Sequence, residues 1–281
     1  MTSTTPVPNT APEPQFQTPD WLPAHLPESL QVEQSGPILH VKLARPKKRN
    51  ALDDPTVLGL EQLFIHLHRD VRVVILSGEG DHFCAGLDLN ELKERDAVEG
   101  LFHSRSWHRA FGHIENGRVP VVSVLKGAVV GGGLELAAAT HIRVAEESTF
   151  FALPEGQHGI FVGGGASVRV PKLIGVARMT DLMLTRRVVK AEEGERIGLT
   201  QYLVPAGEGM QKALDIARRI AENAPMTNYA ITSVLPRIAE MNQESGLLME
   251  GLISGIAQSA PEAKERLQAF LSHRAKKVTD Q

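Results

Sequence analysis

The segment that decides the fold is Gly127-Ala-Val-Val-Gly131-Gly132-Gly133-Leu-Glu135, which directly follows the apolar run at residues 121–125. A short apolar run bounded by glycine is typical of a buried strand. Consecutive glycines let the backbone approach a ligand closely, and the first N–H groups of a helix have no partner within it. We therefore predict a strand, a glycine turn and a helix, with the amide of Gly132 exposed at the turn.

Two further segments carry matching features. Phe83-Cys84-Ala85-Gly86-Leu87-Asp88-Leu89 supplies a second glycine turn, and Leu153-Pro154-Glu155 supplies a second carboxylate in an apolar setting. Backbone amides aimed at a developing oxyanion are strong catalytic devices, since losing one such donor costs about 3–4 kcal/mol. Two amides and two carboxylates suit acid–base chemistry on a carbonyl substrate. Helix–sheet packing of the glycines and ordinary surface carboxylates are the alternatives.

Other glycine-rich sites do not fit this segment. A phosphate loop needs Gly-Lys-Ser/Thr, which does not follow the triple glycine. The spaced glycines of the dinucleotide fingerprint are also missing.

Strand and helix signals alternate along the body of the chain. Alternating residues at 39–43 predict a half-buried strand, and the apolar runs at 71–76, 121–125 and 142–144 predict three more. Asp53 followed by Pro55 predicts a helix start. Strand, glycine turn and helix recur, which indicates stacked ββα-like units rather than one doubly wound sheet. Amphipathic helices are predicted at 210–221 and 261–277.

Three regions follow from composition. Residues 1–28 are rich in Pro and Thr and are predicted to be a disordered extension, although Trp21 and Leu22 are apolar enough to dock. Residues 29–205 hold the strand signals and form the predicted core, and residues 206–281 form a helical C-terminal region.

Bulk properties narrow the function. The 281 residues fit one large domain or a core with an appendage. A net charge of −3 argues against nucleic acid and anionic membrane partners. No run reaches the ~18 apolar residues of a membrane span, and no signal peptide is visible. Cys84 is the sole cysteine, which fits a reducing compartment and predicts a cytoplasmic location. No clustered Cys/His ligands are present, so no metal is predicted.

Four segments together resemble the crotonase (enoyl-CoA hydratase/isomerase) superfamily, from about Val32 to the C-terminus. They are Arg45-Pro-Lys-Lys-Arg-Asn50-Ala51-Leu52, Cys84-Ala85-Gly86-Leu87-Asp88-Leu89, Gly127 to Ala137, and Phe151-Ala-Leu-Pro154-Glu155. The resemblance implies an α/β fold with a crotonase-like ββα superhelix (spiral) core and a helical C-terminal trimerisation region. It also implies assembly as a homotrimer or a dimer of trimers.

The resemblance assigns roles to residues of this chain. The substrate would be an acyl-CoA thioester whose carbonyl is polarised by the amides of Leu87 and Gly132. Glu135 would help activate water and Glu155 would deliver a proton to the α-carbon, which is the reaction of an enoyl-CoA hydratase. No separate cofactor is implied, because coenzyme A is part of the substrate. The expected substrate-binding residues are Lys48, Arg49, Ala51, Ala85, Asp88, Leu89, Gly131, Pro154 and Gly163.

Several positions depart from the family pattern. Leu87 replaces a small residue, a proline is missing after Glu155, and Thr140-His141 replaces a Cys-Asp pair.

His158 and Phe161 are expected near the acyl chain, where His158 is either an extra catalytic group or a structural histidine. Phe102, Trp107 and Phe111 line a pocket or pack in the core. Basic residues 47–49, with Arg274, Lys276 and Lys277, are candidates for the CoA phosphates.

Within the family, side chains on one scaffold set the reaction. Glu135 and Glu155 favour hydration. Isomerisation, thioester hydrolysis and decarboxylation through Glu155 are the alternatives, together with a catalytically silent CoA-thioester binding protein.

Overall fold

The computed structural model describes residues 14–91 and 94–272, without the side chain of Leu89. The strands in these residues are β1 (Leu30–Ser35), β2 (Ile38–Leu43), β3 (Val73–Gly78), β4 (Val121–Leu125), β5 (Ala128–Val130), β6 (Ile142–Glu146), β7 (Phe150–Ala152), β8 (Val189–Lys190) and β9 (Tyr202–Val204). The helices are α1 (Asp54–Ile65), α2 (Ala97–Glu115), α3 (Gly132–Ala138), α4 (Ala166–Ile174), α5 (Val176–Thr185), α6 (Ala191–Ile197), α7 (Gly209–Glu222), α8 (Pro225–Tyr229), α9 (Leu235–Ile238), α10 (Gln243–Ser259) and α11 (Pro261–Leu271).

The strands form two sheets. The larger sheet has the order β1-β2-β3-β4-β6-β9, in which β1 is antiparallel to β2 and the remaining pairs are parallel. The smaller sheet has the order β5-β7-β8, with β5 and β7 parallel and β8 antiparallel to β7. The first four strands all lie in the larger sheet, and from β4 to β7 successive strands alternate between the two sheets.

This alternation is the predicted ββα repeat. The units β4-β5-α3 and β6-β7-α4 each place their first strand in the larger sheet and their second in the smaller one. A third unit begins with β3, and its second strand is reduced to a parallel bridge between Cys84 and Val129 beside β5. The α/β fold with stacked ββα units is thus confirmed, and each glycine turn lies between a strand pair and a helix.

The central strands of the larger sheet divide their side chains between two cores. On β3, Val74 and Leu76 join the main core while Val73 and Ile75 face α7. The period of two in strand side-chain direction explains this division. The helix predicted at 210–221 is α7, and it covers this face through Ala213, Leu214, Ile216 and Ala217.

Residues 14–28 correct the prediction of a disordered segment over 1–28. Gln17 exchanges two backbone hydrogen bonds with Gln34, and the Trp21 indole donates to the Gln34 side chain at 2.8 Å. Trp21 and Leu22 pack against the main core. Aromatic and aliphatic side chains therefore order a segment whose proline content alone suggested otherwise. Residues 1–13 lie outside the described residues.

Local signals fixed several boundaries. The Asp53 carboxylate accepts the amide of Thr56 and caps α1, as predicted. The strand predicted at 71–76 is shifted to Val73–Gly78. The helix predicted at 261–277 is described over Pro261–Leu271, and its last residues lie outside the described part. Within the described residues, no helix is long and apolar enough to cross a membrane.

Candidate active site

Two backbone amides meet where the glycine turns approach each other. A Cβ placed on Gly86 would lie 3.3 Å from the Gly132 amide nitrogen, and one placed on Gly132 would lie 3.4 Å from that of Leu87. Gly86 and Gly131 precede these amides with φ of +98° and +51°, a region that side-chain-bearing residues rarely adopt. Among the described residues neither amide has a hydrogen-bond acceptor. The structure thus brings together the two predicted donors.

Neighbouring segments hold these amides in place. Leu52 donates its amide to the Gly86 carbonyl and accepts the amide of Asp88, both at 2.7 Å. On the other side, a Cβ on Gly133 would lie 2.3 Å from the Cys84 carbonyl oxygen. The third glycine of the triplet is therefore required by close packing of α3 on the Cys84 segment, while Gly131 and Gly132 shape the donor site.

Glu135 lies in the first turn of α3 and is only 4% exposed. Its Oε1 accepts the amides of Gly164 at 2.8 Å and Ala166 at 3.0 Å. Burial raises the pKa of Glu135, while these amides and the Arg169 charge oppose the rise. One carboxylate oxygen is thus fixed by the loop before α4, and Oε2 is left for a ligand.

Glu155 opens a 3-10 turn after β7 and is 8% exposed. Its Oε2 is buried and has no hydrogen-bond partner within the described residues. Burial, together with the charge of Glu135, raises the pKa of Glu155 to about 7. A carboxyl with this pKa exchanges a proton readily near neutral pH.

Both glutamates line one cavity of about 320 Å³, together with Leu87 and Gly132. A smaller cavity of about 100 Å³ shares Leu87, Gly132 and Glu155 and continues past Ala85 and Pro154. The amide pair therefore lies between two spaces, with both carboxylates on the larger one. This arrangement can hold an oxyanion at the amides and exchange protons on one side of it.

An ion pair between Arg169 and Glu115 holds the loop that binds Glu135. The sequence did not predict this ion pair. The Arg169 guanidinium donates to the Gly164 carbonyl at 3.0 Å and to Glu115 Oε2 at 2.9 Å. Gly165 has φ of +108°, and a Cβ there would lie 2.1 Å from Arg169 Nη1. The run Gly163-Gly164-Gly165 was a visible signal that something packs closely here, but its partner was not deducible. Arg169 and Glu115 thus hold the amides that bind Glu135.

The segment at residues 45–52 forms ion pairs and hydrogen bonds beside the amide site. Asp88 is buried and accepts Arg45 at 2.6 Å and Lys48 at 2.7 Å. The hydrogen bond from Lys48 leads the causes that lower the pKa of Asp88 to about 2. Asn50 is buried and binds the carbonyls of Glu79 and His82. In this structure Asp88 is engaged by two cations, so it orients the loop that carries Leu87.

Some of the other expected substrate-binding residues line the two cavities, and the rest do not. Gly163 lines the larger cavity, and Ala85, Gly131 and Pro154 line the smaller one. Arg49 is exposed with φ of +51°, and Ala51 is half-buried beside it. The backbone of Leu89 lies in a 3-10 turn over Leu89–Glu91. Arg274, Lys276 and Lys277 lie outside the described residues.

Some of the aromatic and histidine candidates line a cavity, whereas others are packed in the core or exposed to solvent. Trp107 is 4% exposed and lines the larger cavity, where its six-membered ring lies against Gly132 and Gly164. Phe111 is fully buried behind it, whereas Phe102 is exposed. Phe161 lines the larger cavity, and exposed His158 lines the smaller one. Within the part of the chain that is described, no cluster of three or more potential metal ligands occurs.

Comparison with known proteins gives a consistent result. The model of the enoyl-CoA hydratase/isomerase family matches residues 33–281. The short-chain-enoyl-CoA hydratase of Clostridium acetobutylicum is 31% identical over 86% of this chain and 94% of its own. The carnitinyl-CoA dehydratase of Salmonella typhi is 33% identical over 88% and 97%.

Solved structures agree with these sequence relatives. A provisionally assigned enoyl-CoA hydratase of Rhodopseudomonas palustris is 56% identical, with a TM-score of 0.85 over 88% of this chain and 95% of that chain. The enoyl-CoA hydratase of Bacillus anthracis is 28% identical, with a TM-score of 0.83 over 90% of this chain and 100% of that chain.

Proposed function

This chain belongs to the enoyl-CoA hydratase/isomerase family, and we propose that it adds water across the double bond of a 2-enoyl-CoA. The observation that carries the proposal is a cavity lined by Glu135 and Glu155, both buried and both with raised pKa, together with two amides that have no acceptor among the described residues. Isomerisation moves a proton from one carbon to another, which a single carboxyl can do. Hydration needs one group to take a proton from water and another to give a proton to C2. Water addition uses both.

The proposed reaction begins at the thioester carbonyl. The amides of Leu87 and Gly132 bind its oxygen and stabilise the negative charge that develops there. Glu135 Oε2 takes a proton from water while the water oxygen bonds to C3. Glu155 gives its proton to C2, which regenerates the thioester from the enolate. Proton exchange between the two carboxyls or with solvent restores the starting state, and each carboxyl contributes roughly 10²–10⁴-fold to the rate.

The environments of the carboxyls support these roles. Two amides orient Glu135 and stabilise its charged form, which suits a base. Glu155 has a pKa of about 7, which keeps a protonated fraction available at neutral pH. The same groups run the reverse dehydration of a 3-hydroxyacyl-CoA by microscopic reversibility.

The CoA portion of the bound substrate would extend from the amide pair through the smaller cavity past Ala85 and Pro154. Lys48 and Arg49 lie on the motif beside this side of the site and would face the CoA phosphates. The acyl chain would then occupy the larger cavity with the glutamates. We assign no separate cofactor, metal, nucleic acid or membrane to this function, and we place the enzyme in the cytoplasm.

Assembly as a homotrimer or a dimer of trimers is part of the proposal. On α10, Leu248, Leu252 and Ile256 follow one another at intervals of four residues and are all exposed in the single chain. Residues at this spacing form one stripe along a helix. Apolar surface of this kind marks interfaces in soluble proteins, which supports contact between copies through the helical C-terminal region.

The proposed function is tested by following loss of enone absorbance with crotonyl-CoA and longer or aryl-substituted 2-enoyl-CoAs. Glu135→Gln and Glu155→Gln should each lower kcat by about 10²–10⁴-fold. Glu146→Gln is the matched control, because Glu146 is also buried but accepts the Gly209 amide away from the cavity.

Undiminished turnover in both variants would contradict the two-carboxyl mechanism. Thioester binding without turnover would favour the silent binding protein. Products with a moved double bond, a free acid or released carbon dioxide would identify isomerisation, hydrolysis or decarboxylation.

A further inference from the structure

The larger cavity contains polar side chains that the proposed hydration does not use. Arg95, His103 and Ser104 line it together with the two glutamates. Arg95 lies just before α2, and the other two lie in the first half of this helix. The smaller cavity on the other side of the amide pair contains none of them. They therefore belong to the space assigned to the acyl group.

Arg95 is half-buried and has no partner within the described residues. Across residues 14–91 and 94–272 it makes no ion pair or hydrogen bond, whereas Arg45, Arg169 and Arg187 each bind carboxylates. Glu135 and Glu155 line the same cavity, but neither forms an ion pair with Arg95 in the part of the chain that the structure describes. A half-buried guanidinium at a cavity wall offers both positive charge and hydrogen-bond donors to an anionic group of a ligand.

His103 and Ser104 add hydrogen-bonding capacity to the same wall. His103 Nε2 is hydrogen-bonded to Asp54 at 2.9 Å, which fixes the ring and leaves Nδ1 without a described partner. The Ser104 hydroxyl makes no hydrogen bond to a described residue, and a Cβ on Gly163 would lie 2.9 Å from it. Both side chains are held at the cavity wall by α2, with polar atoms to spare.

The cavity also has room for a short acyl group. Its volume of about 320 Å³ corresponds to roughly ten water volumes, which accommodates a short acyl group with one polar terminus. The thioester oxygen is fixed at the amide pair, so the end of a short chain would lie among Arg95, His103 and Ser104.

We propose, resting on the proposed function, that the substrate is a short 2-enoyl-CoA whose acyl group ends in a carboxylate bound by Arg95. A guanidinium binds a carboxylate with two parallel hydrogen bonds, which gives both charge and geometric recognition. His103 and Ser104 contribute further contacts to the same carboxylate. The positive charge of Arg95 would repel a quaternary ammonium at the end of the acyl group.

The test compares kcat/KM for 4-carboxybut-2-enoyl-CoA with that for its methyl ester and for 4-trimethylammoniobut-2-enoyl-CoA. The wild-type enzyme should prefer the carboxylate over the ester at least tenfold and should turn over the ammonium compound least. Arg95→Gln should reduce the carboxylate-to-ester ratio at least tenfold. Arg105→Gln is the matched control, because Arg105 is an exposed arginine on α2 outside the cavity lining, and it should preserve the ratio.

A second measurement does not depend on turnover. Isothermal titration of the wild-type protein with saturated glutaryl-CoA and its methyl ester should give the same preference and the same loss in Arg95→Gln. Equal kcat/KM and equal affinity for acid and ester would overturn the inference while leaving hydration intact. A preference that survives Arg95→Gln would overturn it as well. Failure to hydrate any 2-enoyl-CoA would instead reject the proposed function.

Discussion

Glu135 and Glu155 are the same side chain in one cavity, yet their surroundings differ. Amides of the loop before α4 bind one oxygen of Glu135, and the Arg169 charge acts on it. Glu155 keeps a buried Oε2 with no described partner. Burial raises both pKa values, so the pair favours a shared proton near neutral pH over two charges. This asymmetry, set by single contacts, distinguishes the base from the acid.

The pKa of Glu155 predicts a pH dependence of stability. Its folded-state value of about 7 lies above the ordinary value of 4.5, so the folded state binds the proton more tightly. The stability contributed by the neutral form is present below about pH 4.5 and is lost as pH rises through 7. At pH 8 this loss amounts to about 3 kcal/mol. Glu155→Gln should therefore raise Tm at pH 8, by an amount that shrinks towards pH 4.5.

Thermal unfolding followed by circular dichroism from pH 4.5 to 8 measures this difference. Glu146→Gln serves as the control for loss of a buried carboxylate away from the cavity. A Tm difference for Glu155→Gln that is constant with pH would contradict the titration.

At the level of elements, the amide site depends on glycine turns that belong to two different ββα units. Gly86 precedes the Leu87 amide and Gly131 precedes that of Gly132, both with positive φ. The units are joined where Cys84 bridges Val129, so the turns are positioned by pairing between segments more than forty residues apart. The glycines are needed for conformation and also for clearance, since a Cβ on Gly86 would lie 2.7 Å from the Val130 carbonyl oxygen.

Substitution Gly86→Ala should lower kcat by about 10²–10³-fold, because the displaced Leu87 amide no longer meets the oxyanion. Gly207→Ala is the matched control, since Gly207 has φ of +86° with nothing within 4 Å of its Cβ position. It carries the conformational penalty without the clash. Steady-state kinetics and Tm of both variants separate the two effects, and equal kcat in both would contradict the assigned role of the turn.

The brace formed by Arg169 and Glu115 makes a second prediction at this level. Arg169→Met removes the charge that opposes the raised pKa of Glu135 and frees the Gly164 carbonyl. The pKa of Glu135 should rise further, so the acidic limb of kcat/KM against pH should move to higher pH. Arg178→Met is the control, because within the described residues Arg178 binds only the Ile174 carbonyl. A lowered kcat with an unmoved limb would indicate a purely structural role.

The sequence predicted the strands, turns and helices better than it predicted the long-range contacts that hold them together. Apolar runs followed by glycines identify ββα units because both signals are local, and the two amides and two carboxylates followed from them. Arg169 acts on Gly164 and Glu115 across the fold, and Trp21 docks on Gln34. No local pattern identifies such partners, because they are determined only when separate units pack together.

At the scale of the whole molecule, α10 carries apolar side chains that the single chain leaves exposed. A chain with Leu248, Leu252 and Ile256 in water would expose a continuous apolar stripe. We expect light scattering after size exclusion to give three or six times the chain mass of 30.6 kDa. Leu252→Glu should lower that mass, because a charge buried between copies is costly.

Ser254→Glu adds the same charge to α10 off the stripe and should leave the assembly unchanged. A wild-type protein that scatters as a single chain would contradict the proposed assembly.

Trp107 gives the molecule an optical reporter of its own reaction. The chain has two tryptophans, and Trp21 lies on the docked N-terminal segment against His68. Trp21→Phe would leave the emission of Trp107 alone, whose ring lies against Gly132 and Gly164. Filling the cavity changes the polarity around that indole, so a thioester can be detected by fluorescence as it arrives. Stopped-flow traces from this single protein could then separate binding from bond formation without labelling the substrate.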